Sequence, residues 1–169
     1  MDMLLDALGD WTEVSAVART QARRMQTEDV SLAHVVFASG AVASVVNSVL
    51  SPREETYLRF DFEFATVEVT HLYGYDDDDW RITPAPGHER DVLTAWKRAE
   101  TGTPSGHAAQ FGHVLSALRA GRLPPVSPAD GRRTMALVAA IYASAAGRRP
   151  VTPDDLAPGT PFYGQMNGT

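Results

Sequence analysis

The alternation of apolar and polar positions is clearest between residues 58 and 70. Leu58, Phe60, Phe62 and Phe64 are apolar, and Arg59, Asp61 and Glu63 separate them. Beyond Ala65 and Thr66 the phase reverses, with Val67, Val69 and Tyr73 set against Glu68 and Thr70. One regular strand with a single buried face cannot change phase. The pattern predicts two strands with a turn or bulge near residues 64–66. Upstream, the compact apolar run from Leu32 to Ala38 predicts a largely buried strand. Ser39-Gly40 fits a two-residue hairpin turn, with residues 41–50 running back beside their partner. Residues 12–23 mix small apolar and polar positions and fit another strand. Trp80, Arg81 and Ile82 start a short one that Pro84 and Pro86 stop.

Helical spacing takes over downstream. Residues 88–100 fit a polar helix containing Val92, Leu93 and Trp96. In residues 105–120 the stripe is Phe111, Val114, Leu115 and Leu118, ended by Gly121. His107 precedes Phe111 by one turn and shares its face; Gln110 lies close to that line and His113 points elsewhere. Ser127-Pro128-Ala129-Asp130 supplies a capping serine, a proline at the first helical position and an acid three residues after the cap. Met135, Val138, Ala139, Tyr142, Ala143 and Ala146 then recur at helical spacing. Gly147 fits a left-handed stop, and Pro150 lies just beyond. The tail from Thr152 is rich in proline and glycine, with Phe162 and Tyr163 as possible anchors.

The opening residues admit two readings. Leu4, Leu5 and Leu8 form a stripe that Gly9 can stop, but no capping residue precedes Asp2 and the segment is too short for a stable isolated helix. It is either a short helix docked on the sheet or the end of a longer one.

These elements predict a single α+β domain over residues 1–169. An open, mainly antiparallel sheet of about five or six strands would have helices 105–120 and 128–146 packed on one face. Its other face would meet solvent, a partner sheet or a further domain.

Composition narrows the chemistry. The 169 residues suffice for a real core, and 44% are hydrophobic. A formal net charge of −6 argues against a nucleic-acid partner. The absence of cysteine excludes disulfides, thiolate zinc sites and cysteine catalysis, and is compatible with a cytoplasmic location. No apolar run reaches membrane-spanning length. Asp76, Asp77, Asp78 and Asp79 lack the alternating ligands, central glycine and distal glutamate of a calcium loop, and read as a solvated turn. His34 and His71 read as strand residues, and no His and carboxylate set has metal-ligand spacing. Ser144 has no Gly-x-Ser-x-Gly elbow, which argues against a hydrolase nucleophile. No glycine-rich phosphate loop occurs, so no residue is assigned to cofactor binding.

His107-x-x-Gln110-Phe111, Gly121-Arg122-Leu123-Pro124, Asp130-Gly131-Arg132-Arg133, residues 141–145 (IYASA) and residues 147–151 (GRRPV) occur in an order and spacing that resemble the C-terminal end of the Gfo/Idh/MocA oxidoreductases. The hairpin of residues 32–50 resembles that family too; the turn near residue 65 departs from it in lacking glycine. The resemblance implies a parent that uses NAD or NADP on a sugar, polyol or related hydroxyl compound. It implies that the dinucleotide fold and the catalytic lysine lie in an N-terminal Rossmann domain absent here, and that a catalytic histidine would stand just before Met1. No catalytic residue is therefore assigned in this chain, which is expected to be inactive alone. By the same resemblance, His107 and Gln110 would line the substrate cleft, and the open sheet face would form a homodimer. The alternatives are that His107 merely caps or packs its helix, and that the chain is a free-standing, non-enzymatic binding or interaction domain.

Overall fold

The computed structural model describes residues 1–70, 74–99 and 102–166. The chain divides into two compact units, Met1–Pro52 with Val126–Thr169, and Arg53–Pro125.

The first unit holds α1 (Asp2–Leu8), β1 (Trp11–Arg19), β2 (Val30–Phe37) and β3 (Val42–Ser48). The three strands form one antiparallel sheet in chain order. α1 ends where the sequence predicts: Gly9 takes a φ of 85° and its N–H donates to the Leu5 carbonyl. The hairpin between β2 and β3 differs from the two-residue turn expected of Ser39-Gly40. Phe37 N–H donates to the Ala41 carbonyl and Gly40 N–H returns to the Phe37 carbonyl, leaving a three-residue loop with Gly40 at φ 86°. Such a loop needs one residue at positive φ, and glycine fills it without steric cost.

The apolar run of β2 is buried on one side only. Ser31, Ala33, Val35 and Phe37 face inward, while Leu32 and His34 are exposed. The long helix of this unit, from Pro128 to Gly147, packs on β1. Its start follows the sequence: the N–H and hydroxyl of Ser127 donate to the Asp130 carboxylate at 2.8 and 2.7 Å. Its buried face is turned from the predicted one, which it shares at Ala143, with Val138, Ala139 and Tyr142 half-buried. Leu137, Ala140, Ile141, Ala143 and Ser144 are buried, whereas Met135 is half exposed. Gly147 is the last helical residue, and Arg148 takes the left-handed position at φ 52°. Fully buried Val14, Val35, Phe37, Leu137 and Val151 centre the core, each contributing about 1.5–3 kcal/mol over exposure.

The second unit holds β4 (Tyr57–Asp61), β5 (Ala65–Thr70), β6 (Trp80–Pro84), α2 (Glu89–Ala99) and α3 (His107–Arg119); the long helix is thus α4. Its strands form a second three-stranded antiparallel sheet. The strands predicted here are present, but they do not join the first three in one layer of five or six. The turn comes earlier than expected. Asp61 pairs with Thr66 and Phe62 N–H donates to the Ala65 carbonyl, so Phe62 and Phe64 are turn residues and exposed. Phe62 lies against Phe60, and Phe64 stacks on His88 at 4.3 Å between centroids. Trp80 meets Trp96 at 5.6 Å and holds α2 against β6. His71 and Tyr73 lie outside the described residues. Among the described residues, two sheets and four helices make an α+β fold.

Candidate functional site

The start of α3 is built from the acidic tip upward. Asp76 accepts a hydrogen bond from Asp78 N–H, and its own N–H donates to Asp79, closing a 3-10 turn at Asp77–Asp79. The tip also holds the approach to α3: Gly102 N–H donates to Asp77 at 2.7 Å and Ser105 N–H donates to the Tyr75 carbonyl at 2.7 Å. Asp76 and Asp79 thus work as caps and Asp77 as a tether. Among the described residues, no group of three or more His, Asp or Glu side chains is arranged to hold a metal.

Gly106 is the helix cap and offers no side chain. His107, Gln110 and Phe111 follow close together at the start of the helix, and all three are exposed. His107 Nδ1 and Gln110 Oε1 are 3.5 Å apart, and the His107 and Phe111 ring centroids are 6.3 Å apart. The i, i+3 and i, i+4 spacings bring these side chains together. An imidazole can donate and accept, a carboxamide does both, and a neighbouring aromatic edge offers an apolar platform. The trio therefore sets hydrogen-bonding groups beside an apolar surface. Along the stripe, Phe111 is 61% exposed, Leu115 50% and Leu118 57%. Ala117 is the residue of α3 that is buried.

The first unit presents a second feature, the outer face of its sheet. Val17 pairs with Leu32 and Leu32 with Val46, making an apolar row across three strands; Val42 lies on the same face. All four are between 47 and 66% exposed. The row below it runs Ser15, His34, Ser44, with His34 Nδ1 3.3 Å from Ser44 Oγ. Sequence reasoning placed His34 in a strand but did not assign its face; the phase of Ala33, Val35 and Phe37 was the signal.

Residues 1–68 match the family model described as the GFO/IDH/MocA C-terminal domain. No curated protein matches the chain. Among solved structures, the fold is similar to that of the WlbA dehydrogenase from Bordetella pertussis in complex with NADH and UDP-GlcNAcA. That likeness has a TM-score of 0.69 and 24% identity over 89% of this chain and 41% of that one. An oxidoreductase from Agrobacterium radiobacter in complex with NAD+, L-tartaric acid and magnesium gives 0.64 and 22%, over 92% and 47%. The aldose-aldose oxidoreductase from Caulobacter crescentus complexed with glycerol gives 0.62 and 23%, over 85% and 41%. This chain spans less than half the length of each. At these identities the likeness is one of fold. The resemblance read in the sequence is borne out as far as the match reaches: residues 1–68, which include the hairpin of residues 32–50, match the GFO/IDH/MocA C-terminal domain model, and the fold is shared with solved oxidoreductases.

Proposed function

We propose that this chain is the substrate-cleft and dimerisation domain of an NAD(P)-dependent oxidoreductase that acts on a sugar, polyol or related hydroxyl compound. The observation that carries the reading is the exposed His107–Gln110–Phe111 cluster at the start of α3, in a chain whose fold neighbours are sugar and polyol oxidoreductases. His107 and Gln110 would bind and orient hydroxyls, and Phe111 would support the carbon frame beside them. The family match over residues 1–68 supports the parent class without reaching α3.

The topology of the described residues supports a cofactor held elsewhere. Both sheets are antiparallel, and no glycine-rich turn leads from a parallel strand into a helix. Hydride transfer needs the nicotinamide held against a carbon, and an acid–base group at its oxygen. These would come from a Rossmann domain outside this chain, and the chain would be inactive by itself, in the cytoplasm. The apolar row Val17–Leu32–Val46 supports pairing of two copies through the open sheet face. The purified chain, mixed with NAD+ or NADP+ and a panel of polyols and aldoses, is expected to form no reduced nicotinamide. Formation of it above the protein-free rate overturns the division of labour.

A further inference from the structure

The edge of β1 carries a crevice that the α3 reading does not use. It is an open groove of about 640 Å³ between β1, β2 and the segment that follows α4, a volume within the usual range for small-molecule sites. Its apolar wall is Val17, Leu32, Ala145 and Pro150, and Arg19, His34 and Arg148 supply its polar groups. No carboxylate lines it among the described residues. The guanidinium of Arg149 also lines it, but that group is engaged by Asp155 at 2.5 Å and by the Pro150 carbonyl. Arg19 and Arg148 form no ion pair among the described residues; Arg19 donates only to the carbonyl of its neighbour Ala18. In a chain of net charge −6, two cations without counter-ions facing one concavity make a local positive field that favours an anion.

Arg148 adds a second, independent observation. It is the sole non-glycine residue at positive φ among the described residues. Glycine is the usual occupant of this post-helical position, because a side chain there meets a steric penalty. The neighbouring Gly147 is instead spent within the helix. The left-handed turn sets the Arg148 side chain on the crevice, and strained positions of this kind gather at ligand sites.

We propose that this crevice binds a small organic anion, a carboxylate or phosphate monoester on a compact apolar body. Arg19 and Arg148 take the anionic oxygens, the pairing for which a guanidinium is suited. Ala145 and Pro150 cover the body, since Val17 and Leu32 belong to the face proposed for pairing. The site is separate from His107, so its failure leaves the α3 reading untouched.

The test is a heteronuclear NMR titration of the full chain with benzoate, phenyl phosphate and, as the neutral control, benzyl alcohol. Saturable shifts are expected at the amides of Val17–Arg19 and Ala145–Arg149 for at least one anion and not for the alcohol. Tighter phenyl phosphate assigns the site to phosphate monoesters, and tighter benzoate to carboxylates. Arg148→Gly keeps the backbone turn while removing the guanidinium, and should retain or raise the melting temperature while weakening the anion at least tenfold. Arg19→Gln should do the same to binding. Equal response to benzyl alcohol, no saturable shift with either anion whatever the oligomeric state, or unchanged affinity in Arg148→Gly overturns the proposal.

Discussion

The hydroxyl of Ser144 accepts a hydrogen bond from the backbone N–H of Ala16 at 2.9 Å, and donates one to the Arg149 carbonyl at 2.7 Å. Ser144 is 1% exposed. It ties α4 to the free edge of β1 and fixes the turn that returns Val151 to a two-way bridge with Val14. Ser144→Ala would leave a strand amide and a carbonyl without partners in a closed site. An unmet buried polar group costs about 1–3 kcal/mol. Urea denaturation should show a lower midpoint at unchanged slope; a loss below about 0.5 kcal/mol, the ordinary surface effect, would contradict the role.

Asp29 organises the loop between β1 and β2. Its buried carboxylate accepts from the backbone N–H groups of Gln21, Ala22 and Arg23 at 2.7–2.9 Å. Burial pushes its pKa up, but the hydrogen bonds from Arg23, Ala22 and Gln21 together outweigh that, and the net value lies below the ordinary 3.8. The folded pKa is depressed, so the stabilisation is complete above the unfolded value and is lost as pH falls through the folded one. Asp29→Asn should therefore be destabilised at neutral pH by roughly 5 °C or more in melting temperature. The gap to wild type should narrow as pH drops from about 6 to about 2. A gap that stays constant with pH would refute the carboxylate's part.

Asp155 closes a second cap. It accepts from Thr152 N–H at 2.8 Å and from the Arg149 guanidinium at 2.5 Å. The Arg149 hydrogen bond, followed by that of the Thr152 amide, lowers its pKa to about 2. Arg149→Gln should move it upward toward 3.8, as read by carboxyl-carbon NMR titration. An unmoved value would mean that the Thr152 amide alone sets it.

Much of this architecture was legible because local rules and tertiary packing agree. Gly9, the Ser127–Asp130 box and the reversal of phase after Phe64 each mark a boundary found within a few residues. The failures have physical causes. The inner stripe of α4 includes Ser144, whose polarity hid it from an apolar count, although its hydroxyl is paired on both sides. Phe62 and Phe64 continue the alternation of β4 but satisfy their rings against Phe60 and His88, in and beyond the turn. The spacing of His107, Gln110 and Phe111 was enough to place them together, since helix geometry fixes it. Period alone could not give the exposure of the Phe111 stripe, because burial depends on what packs opposite. The crevice at Arg19 and Arg148 was illegible because it joins residues far apart in sequence, and because Gly147 looked like the left-handed residue.

The outer face of β1–β3 yields a prediction about assembly. If two copies pair across Val17, Leu32 and Val46, a charge at the centre of that row must be buried without a partner. Analytical ultracentrifugation should find the wild-type chain dimeric at micromolar concentration. Leu32→Glu should be monomeric at that concentration, with an unchanged circular dichroism spectrum. A monomeric wild type would remove the proposed role of this face.

The central claim is that the start of α3 meets a hydroxyl-bearing ligand, and a titration followed by heteronuclear NMR with glycerol, L-sorbose, L-tartrate and UDP-GlcNAcA tests it most directly. The account predicts saturable shifts for at least one of them at the amides of Gly106–Phe111 and at the His107 ring. They should weaken about tenfold or more in Gln110→Ala and vanish in His107→Ala, as loss of hydrogen bonds to a bound polar group would require. Shifts that avoid α3, or that survive both substitutions, would contradict it.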